Sequence, residues 1–336
     1  MQIDFLNVLI TVLSLVLLMV PGFLLKKCKI LPKNADATLS SLCLYGCQPM
    51  LMVMSFQKRP YSSEVGINML IVAGLTILIH FVMIGIMYLV FRTKDDSKKL
   101  KINCLRFASV FSNCGYMGLP FLQSLFRGNE QIMGEIMIYG GVVIAVFNIL
   151  TWSIGTYMMT GDKKQMSFRR AFINPTVIGI VIGVILFFAI QKPFVLLAPE
   201  DTTWRMVLEK LSDTLNFLAN MVTPVAMLVI GIKLANINLK QLFVDVWAYV
   251  ACFNKLIVMS IITMLIVAFL PIAPIAKFAL FFGLSMPSAT NTAMFAVHFG
   301  GDSDFATVSV LLSTIISILT IPLMFLLFSG VFGVVV

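Results

Sequence analysis

Ten apolar stretches, each long enough to cross a bilayer as an α-helix, dominate the chain of 336 residues. A helix needs about 20 predominantly apolar residues to span the hydrocarbon core of a membrane. Only 12% of the residues are charged, against about 25% in soluble domains, which leaves too little polar surface to cover a water-soluble globule. The sequence therefore predicts an all-α polytopic membrane protein. Its ten predicted spans lie at about 5–25, 37–56, 66–91, 102–126, 132–159, 172–190, 214–235, 243–270, 274–299 and 304–328.

The basic residues predict how these spans are oriented. Lysine and arginine number 16 in the odd-numbered loops and 7 in the even-numbered loops, and cytoplasmic loops are the ones enriched in these residues. We therefore expect the odd loops in the cytoplasm and both termini outside, in a multi-pass protein of the cytoplasmic membrane. The net charge of +9 comes from clusters between apolar runs, such as Lys26 to Lys33, and indicates orientation rather than a nucleic-acid partner.

The chain offers little material for enzyme chemistry. It has no H-E-x-x-H or G-x-S-x-G motif, its two histidines are far apart, and its six cysteines form no C-x-x-C pair. We therefore expect no catalytic activity, no metal site, no disulfide framework and no cofactor.

Prolines at matching places predict an internal repeat. Pro49 in span 2 corresponds to Pro224 in span 7, and Pro120 in span 4 corresponds to Pro287 in span 9. Because each half has an odd number of spans, the second copy enters the membrane from the opposite side, a plan that is frequent in secondary transporters. We expect one five-span repeat at residues 1–160 and a second at 172–336, joined by a short cytoplasmic loop at 161–171. Coincidence is the alternative, since proline is common in membrane helices.

Spans 4 and 9 combine helix-breaking and polar residues near their centres. Proline removes a backbone donor and glycine permits an unwound backbone, so we expect each helix to break near Pro120 or Pro287 and to restart after it. The restarted half-helix exposes an N-terminus with about half a positive charge, which binds anions. The alternative is a pair of packing kinks whose polar groups are satisfied internally. The polar residues expected to orient a ligand are Asn113, Ser285, Ser288, Thr290, Asn291 and Thr292.

The positions of the acidic residues favour an anionic ligand. All fifteen aspartates and glutamates lie in loops or near the ends of spans. Carriers of organic cations and pumps with carboxylate relays keep an acidic residue near the bilayer midplane. The absence of such a residue argues against a cationic substrate.

Two basic residues lie well inside spans. Lys255 in span 8 could hold the unwound segments in place of a coupling cation, could attract the substrate anion, or could extend its side chain to the cytoplasmic interface. His80 in span 3 could titrate near neutral pH or occupy a hydrogen-bonded packing position. In span 10, Ser309, Ser313 and Ser317 recur at helical spacing, which is typical of close helix packing.

Several of these motifs resemble those of the auxin efflux carrier family. Residues 113–120, Asn-Cys-Gly-Tyr-Met-Gly-Leu-Pro, are similar to the family's span 4 motif, and residues 286–293, 311–314 and 321–323 are similar to its C-terminal half. Asn174-Pro175 and Thr223-Pro224 also agree, so the similarity covers nearly the whole chain. The loop at 161–171 is short, whereas many plant carriers have a long one. The chain is therefore nearer to the bacterial branch, for which malonate or malate are the proposed substrates.

The resemblance implies a fold related to the bile acid:sodium symporters. Spans 1, 2, 6 and 7 would form a scaffold, and spans 3–5 and 8–10 a transport domain in which spans 4 and 9 cross at the substrate site. It also implies homodimers through the scaffold and elevator-type alternating access. The expected substrate-binding residues are Asn113, Gly115, Tyr116, Gly118, Ser285, Ser288, Thr290, Asn291 and Thr292, with Gln48 on the scaffold side and with Pro120 and Pro287 keeping the segments unwound.

The resulting hypothesis is a secondary transporter of small organic anions, with carboxylates such as malonate, malate or auxin-like acids as substrates. One alternative is a sodium-coupled symporter of a related anion, which sodium-dependent uptake would favour. Another is a membrane sensor that binds a metabolite without transporting it. The residues alone leave coupling to protons, coupling to sodium and uncoupled transport open.

Overall fold

Long helices account for nearly all of the secondary structure in the computed structural model, which describes residues 4–236 and 245–333. In chain order they are α1 (Phe5–Lys27), α2 (Ala35–Phe56), α3 (Ser63–Val90), α4a (Asp96–Val110), α4b (114–125), α5 (Gln131–Thr160), α6 (Pro175–Ile190), α7 (Thr203–Ala235), α8 (Val246–Ala268), α9a (Pro274–Ser285), α9b (Asn291–Phe299) and α10 (Ser303–Phe332). Eight helical segments of the described residues, those of α1, α2, α3, α5, α6 extended to Leu197, α7, α8 and α10, are long and apolar enough to cross a membrane. The interrupted pairs α4a–α4b and α9a–α9b bring the number of spans to the expected ten.

Several helices contain a local π-helical turn, and a few short helical turns lie in the loops. π-helical turns are rare and are found mostly at functional sites. They occupy Leu42–Cys47, Cys114–Gly118, Thr151–Gly155 and Asn254–Val258. The short loop helices are Lys163–Gln165, Phe168–Phe172 and Phe194–Leu197.

Side-chain caps explain where the apolar helices begin. Asp4 accepts a hydrogen bond of 2.8 Å from the backbone N–H of Asn7 and so caps α1. Asn174 caps α6 in the same way, with Pro175 at the first helical position, where the missing N–H is not needed. Asp302 caps α10 through the N–H of Phe305 at 3.0 Å. These short polar residues therefore mark the membrane entry of three spans.

Two helices begin at least six residues earlier than the apolar pattern predicted. The helix α4a begins at Asp96 instead of 102, because Asp95 caps a polar first turn; hydrogen bonds from Ser97 and the adjacent Lys98 lower the pKa of the exposed Asp95 carboxyl. The helix α7 begins at Thr203 instead of 214 and is interrupted at Met221, just before Pro224. The predicted start of span 8 at 243, the first three residues of the first predicted repeat and the last three of the second lie outside the described residues.

Close pairs of helices form one group of spans. The helix α1 packs along α7, and α6 packs along α2. Glycines allow the backbones to approach, because a Cβ at Gly231 would overlap the Met19 carbonyl group and a Cβ at Gly179 would overlap the backbone of Pro49. Exchanging the two halves of the chain converts the α1–α7 pair into the α6–α2 pair. This is the correspondence that an inverted repeat requires.

The remaining spans pack around the two interrupted helices. The first half of span 4, α4a, contacts α3, α5, α8 and α10, while α9a contacts α3, α5 and α8. Aromatic side chains fill the space in both halves, with Phe107 in α4a, Phe111 directly after it, and Phe278 and Phe282 in α9a. The two interruptions therefore lie inside a packed group of helices and not at its surface.

Candidate functional site

The two interrupted helices cross at their unwound segments. The backbone N–H of Asn113 donates to the carbonyl oxygen of Pro287 at 2.7 Å, and the N–H of Ala289 donates to the carbonyl oxygen of Phe111 at 2.9 Å. Ser112 and Ser288 face each other in the resulting antiparallel bridge. Backbone groups without partners are costly inside a membrane, so the two breaks satisfy each other. The crossing therefore needs both segments.

The two serines of the bridge make reciprocal side-chain contacts. Ser112 Oγ donates to the carbonyl oxygen of Leu284 at 2.7 Å, and Ser288 Oγ donates to the carbonyl oxygen of Ala108 at 2.8 Å. Both acceptors lie in the last turn of a half-helix, where carbonyl groups have no partner within the helix. The same number of positions separates Ser112 from Ser288 as separates Ala108 from Leu284. The two contacts are therefore reciprocal, with the same spacing along the chain.

Lys255 lies behind the crossing, in the π-helical turn of α8, and its side chain is fully buried. Its Nζ donates to the carbonyl oxygen of Leu284 at 2.9 Å, to the carbonyl oxygen of Val110 at 3.4 Å and to Ser112 Oγ. These three contacts use all the donors of an ammonium group. The side chain does not extend to the cytoplasmic interface, and that interpretation of the sequence is wrong. Lys255 instead joins the C-terminal ends of α4a and α9a.

His80 lies beside the unwound segment of span 4. Its Nδ1 is 2.7 Å from the carbonyl oxygen of Thr76, and its ring lies 5.6 Å from the ring of Phe111. The ring is fully buried, and its Nε2 has no partner among the described residues. The structure therefore places His80 in a packed position with one hydrogen bond, next to the first residue of the break.

Polar atoms without partners surround the crossing on its buried side. Asn113 is 3% exposed, and its Nδ2 has no hydrogen-bond partner within the described part of the chain. The same holds for the hydroxyl groups of Ser109, Ser285 and Thr292. Buried polar groups are nearly always paired in proteins. These groups are therefore the candidates for contact with a ligand at the crossing.

The remaining predicted site residues lie at the start of the second half-helices. Gly115 and Tyr116 in α4b are half-buried, as are Thr290 and Asn291 at the start of α9b. The hydroxyl group of Tyr116 donates to the carbonyl oxygen of Ser40 in α2 at 3.3 Å. These four residues are thus the more accessible part of the crossing, while Asn113 and Ser288 lie deeper.

Gln48 in α2 adjoins the crossing from the other group of spans. Its Oε1 accepts a hydrogen bond of 2.9 Å from Thr176 Oγ1 in α6, which fixes the amide. Its Nε2 lies 3.6 Å from the place that a Cβ at Gly115 would take. A Cβ at Gly118 would lie 3.3 Å from the Met286 side chain, so the space beside this glycine is filled as well. Gln48 therefore lies next to Gly115.

Pro287 and Pro120 lie at different places relative to the breaks in their spans. Pro287 lies in the unwound segment between Ser285 and Asn291, as expected. The break in span 4 lies at residues 111–113, ahead of Pro120, which occupies the beginning of the α-helical part of α4b. Proline is well tolerated there because an N–H is not needed in a first turn. The expectation that span 4 breaks near Pro120 and restarts after it is therefore wrong in position, because the helix restarts at Cys114.

Three residues that contribute to this region were missed by the sequence reasoning. Ser112 was not among the candidates, and Ser313 was interpreted as a packing residue. Ser313 Oγ accepts a hydrogen bond of 3.0 Å from the N–H of Ser288. Gln123 in α4b connects to α7, because its Oε1 accepts from Thr223 Oγ1 at 2.8 Å and its Nε2 donates to Asn220 Oδ1 at 3.3 Å. The regular spacing of the serines in span 10 was the available signal for Ser313.

The described residues, 4–236 and 245–333, contain no group of three or more His, Cys, Asp or Glu side chains that could hold a metal ion. What the crossing offers is a set of hydrogen-bond donors: the first N–H groups of two half-helices and the Asn113 amide. Donors of this kind bind carboxylate and phosphate groups.

Comparison with known proteins gives a consistent result. A family model described as membrane transport protein matches residues 7–168 and 161–325. An uncharacterised transporter of Methanocaldococcus jannaschii is 25% identical over 317 residues, which are 93% of this chain and 96% of that protein. An uncharacterised transporter of Methanothermobacter thermautotrophicus is 22% identical over 315 residues, again 93% of this chain and 96% of the relative.

Proposed function

The chain belongs to the membrane transport protein family, that of the auxin efflux carriers, and we propose that it carries small organic anions across the membrane. The observation that most strongly supports this proposal is the arrangement of helix ends at the crossing. The C-terminal ends of α4a and α9a and the N-terminal ends of α4b and α9b all lie there. A helix end carries about half an elementary charge, negative at the C-terminus and positive at the N-terminus.

Lys255 changes the balance of these four partial charges. Its ammonium group contacts the carbonyl groups of Val110 and Leu284, so it offsets the two negative ends. The two positive ends remain, together with the unpartnered amide donor of Asn113. A site with this electrostatic character attracts an anion and repels a cation. Within the described residues Lys255 takes part in no ion pair that would cancel its charge.

We infer that the substrate is a small carboxylate. Asn113 and Asn291 would donate hydrogen bonds to its oxygens, together with the first N–H groups of α4b and α9b, while Gly115 leaves room beside Gln48. Ser288 is fully buried and already donates its hydroxyl hydrogen to Ala108, so it would hold the crossing together rather than contact the substrate. Amide and N–H donors around one buried lysine fit a compact mono- or dicarboxylate better than a large aromatic acid.

The transport movement that we propose is of the elevator type. The pairs α1–α7 and α2–α6 would form a static scaffold, and α3–α5 with α8–α10 would move and carry the crossing. The polar contacts between α4b and the scaffold, from Tyr116 to Ser40 and from Gln123 to Thr223, are few and can exchange for others. A homodimer through the scaffold, a location in the cytoplasmic membrane and termini on the outer side belong to the same proposal.

Uptake into proteoliposomes tests this function. Purified protein is reconstituted, and the initial uptake of radiolabelled acetate, malonate and malate is compared with that of choline and glycerol, each with and without a sodium or pH gradient. We expect saturable uptake of at least one carboxylate and background uptake of choline and glycerol. Saturable uptake of choline, or no uptake of any carboxylate by protein that remains folded, would overturn the proposal.

A further inference from the structure

An apolar crevice lies at the lipid-facing side of the molecule, between α1, α7 and α10. Its volume is about 150 Å³, and its walls are formed mainly by Val16, Val20, Phe23, Leu234, Ile315 and Ile318. The crevice is open to the outside, since Val20 is 41% exposed and Ile315 is 38% exposed. Inside a membrane, a short segment of hydrocarbon chain fits this space.

A cation lies at one end of the crevice. Val16, Val20 and Phe23 recur along one face of α1, and Lys27 continues that face by one more turn. The Lys27 Nζ lies 5.8 Å from the centre of the Phe23 ring. With a rise of about 1.5 Å per residue, Lys27 is about 16 Å from Val16 along the helix, which is about half of a hydrocarbon core. The crevice and Lys27 therefore span one leaflet of the bilayer.

Lys27 differs in its contacts from its neighbour Lys26. The Nζ of Lys26 donates to the carbonyl oxygens of Pro32 and Lys33, at 3.0 and 2.9 Å. Lys27 is exposed and, among the described residues, forms no ion pair. Its charge is thus available to a group outside the protein, at the depth where lipid headgroups lie.

We propose that the crevice binds one anionic phospholipid, with an acyl chain between α1 and α10 and with its phosphate at Lys27. The apolar walls accept the chain, and a basic residue near the membrane surface attracts an anionic headgroup by about 1 kcal/mol, or about fivefold in affinity. The lipid lies between spans that the proposed function assigns to the scaffold and to the moving domain. Its binding does not depend on that function.

Native mass spectrometry tests the lipid site. Delipidated protein in detergent is titrated with dioleoyl phosphatidylglycerol or with dioleoyl phosphatidylcholine, and the fraction that retains one lipid is measured. We expect phosphatidylglycerol to be retained at about fivefold lower concentration than phosphatidylcholine. Lys27→Gln should remove this preference, and Val20→Trp, which fills the crevice at an exposed position, should weaken the binding of both lipids.

Two variants serve as matched controls. Lys29→Gln removes another exposed lysine, two residues after Lys27, and Leu17→Trp adds the same ring at a 70% exposed position of α1 that does not line the crevice. Both should bind phosphatidylglycerol as the original chain does. The proposal is overturned if the two lipids are retained equally by the original chain. It is also overturned if Lys27→Gln and Val20→Trp behave like their controls.

Discussion

Ser112 and Ser288 lie opposite each other in an antiparallel bridge, and each donates its hydroxyl hydrogen to the last turn of the half-helix that precedes the other. The two interruptions of the membrane-spanning helices are therefore not independent kinks. Each unwound segment supplies the partners that the other half-helix lacks, and Lys255 donates to the carbonyl group of Leu284 as well. Hydrogen bonds between the two unwound segments thus hold the crossing together. The N-termini of the two second half-helices take no part in these bonds and would contact the proposed substrate.

Loss of one reciprocal hydrogen bond should weaken the crossing. Ser288→Ala removes the donor to the Ala108 carbonyl group in a fully buried place, which costs about 1–3 kcal/mol of stability. Ser260→Ala is the matched control, because this buried hydroxyl group bonds only to Leu256 of its own helix. Thermal unfolding in detergent should show a clearly lower midpoint for Ser288→Ala than for Ser260→Ala. Equal midpoints would contradict the role of the bridge.

The charge of Lys255 should be required for transport. Lys255→Met keeps the length of the side chain but removes the ammonium group that offsets the C-terminal ends of α4a and α9a. We expect uptake per folded molecule to fall at least tenfold, about 1.4 kcal/mol. Lys277→Met, at the membrane entry of α9a, should retain uptake. Unchanged uptake in Lys255→Met, normalised by the amount of protein that elutes as folded in size-exclusion chromatography, would refute this electrostatic role.

The close contact between α1 and α7 should not tolerate a side chain. In Gly231→Leu the new Cβ would overlap the backbone carbonyl of Met19, so the two helices must separate and lose their packing. We expect little folded protein after extraction. Gly85→Leu is the control, since nothing lies within 4 Å of a Cβ at that membrane position. The measurement is the folded yield by fluorescence-detected size exclusion, and similar yields for both variants would argue against the packing.

Cys28 reports the orientation of the first loop. It is exposed, while the other five cysteines are buried, so labelling with a membrane-impermeant maleimide follows this one site. If the loop faces the cytoplasm, intact cells should show no label, and permeabilised cells should show one label per chain. A Cys28→Ser variant should remain unlabelled in both cases. Labelling in intact cells would reverse the orientation and place the termini inside.

The sequence was sufficient for the features that depend on local composition. Hydropathy predicted ten spans, and the combination of glycine, proline and polar residues identified spans 4 and 9 as the interrupted ones. Pro287 was expected in an unwound segment and lies there. These features depend on each segment alone. An apolar segment of sufficient length spans a bilayer, and proline lacks the backbone N–H that an α-helix needs.

The features that were missed depend on contacts between distant parts of the chain. The break of span 4 lies at 111–113 because this segment pairs with 287–289, and nothing near Pro120 indicates that partner. The role of Lys255 is set by carbonyl groups in two other helices, so its sequence neighbours carried no information on it. The regular spacing of serines in span 10 was visible, but the bond from Ser288 to Ser313 depends on the crossing.

The central claim is that the crossing binds a carboxylate through Asn113. The most direct measurement is the initial uptake of the carboxylate panel into proteoliposomes that contain the original chain, Asn113→Asp or Asn216→Asp. Asn216 lies in α7 and bonds only to Ser212, so this control adds the same charge away from the crossing. We expect at least tenfold lower uptake in Asn113→Asp, because a carboxylate beside the bound anion repels it, and near-normal uptake in Asn216→Asp. Equal uptake by all three proteins would contradict the account.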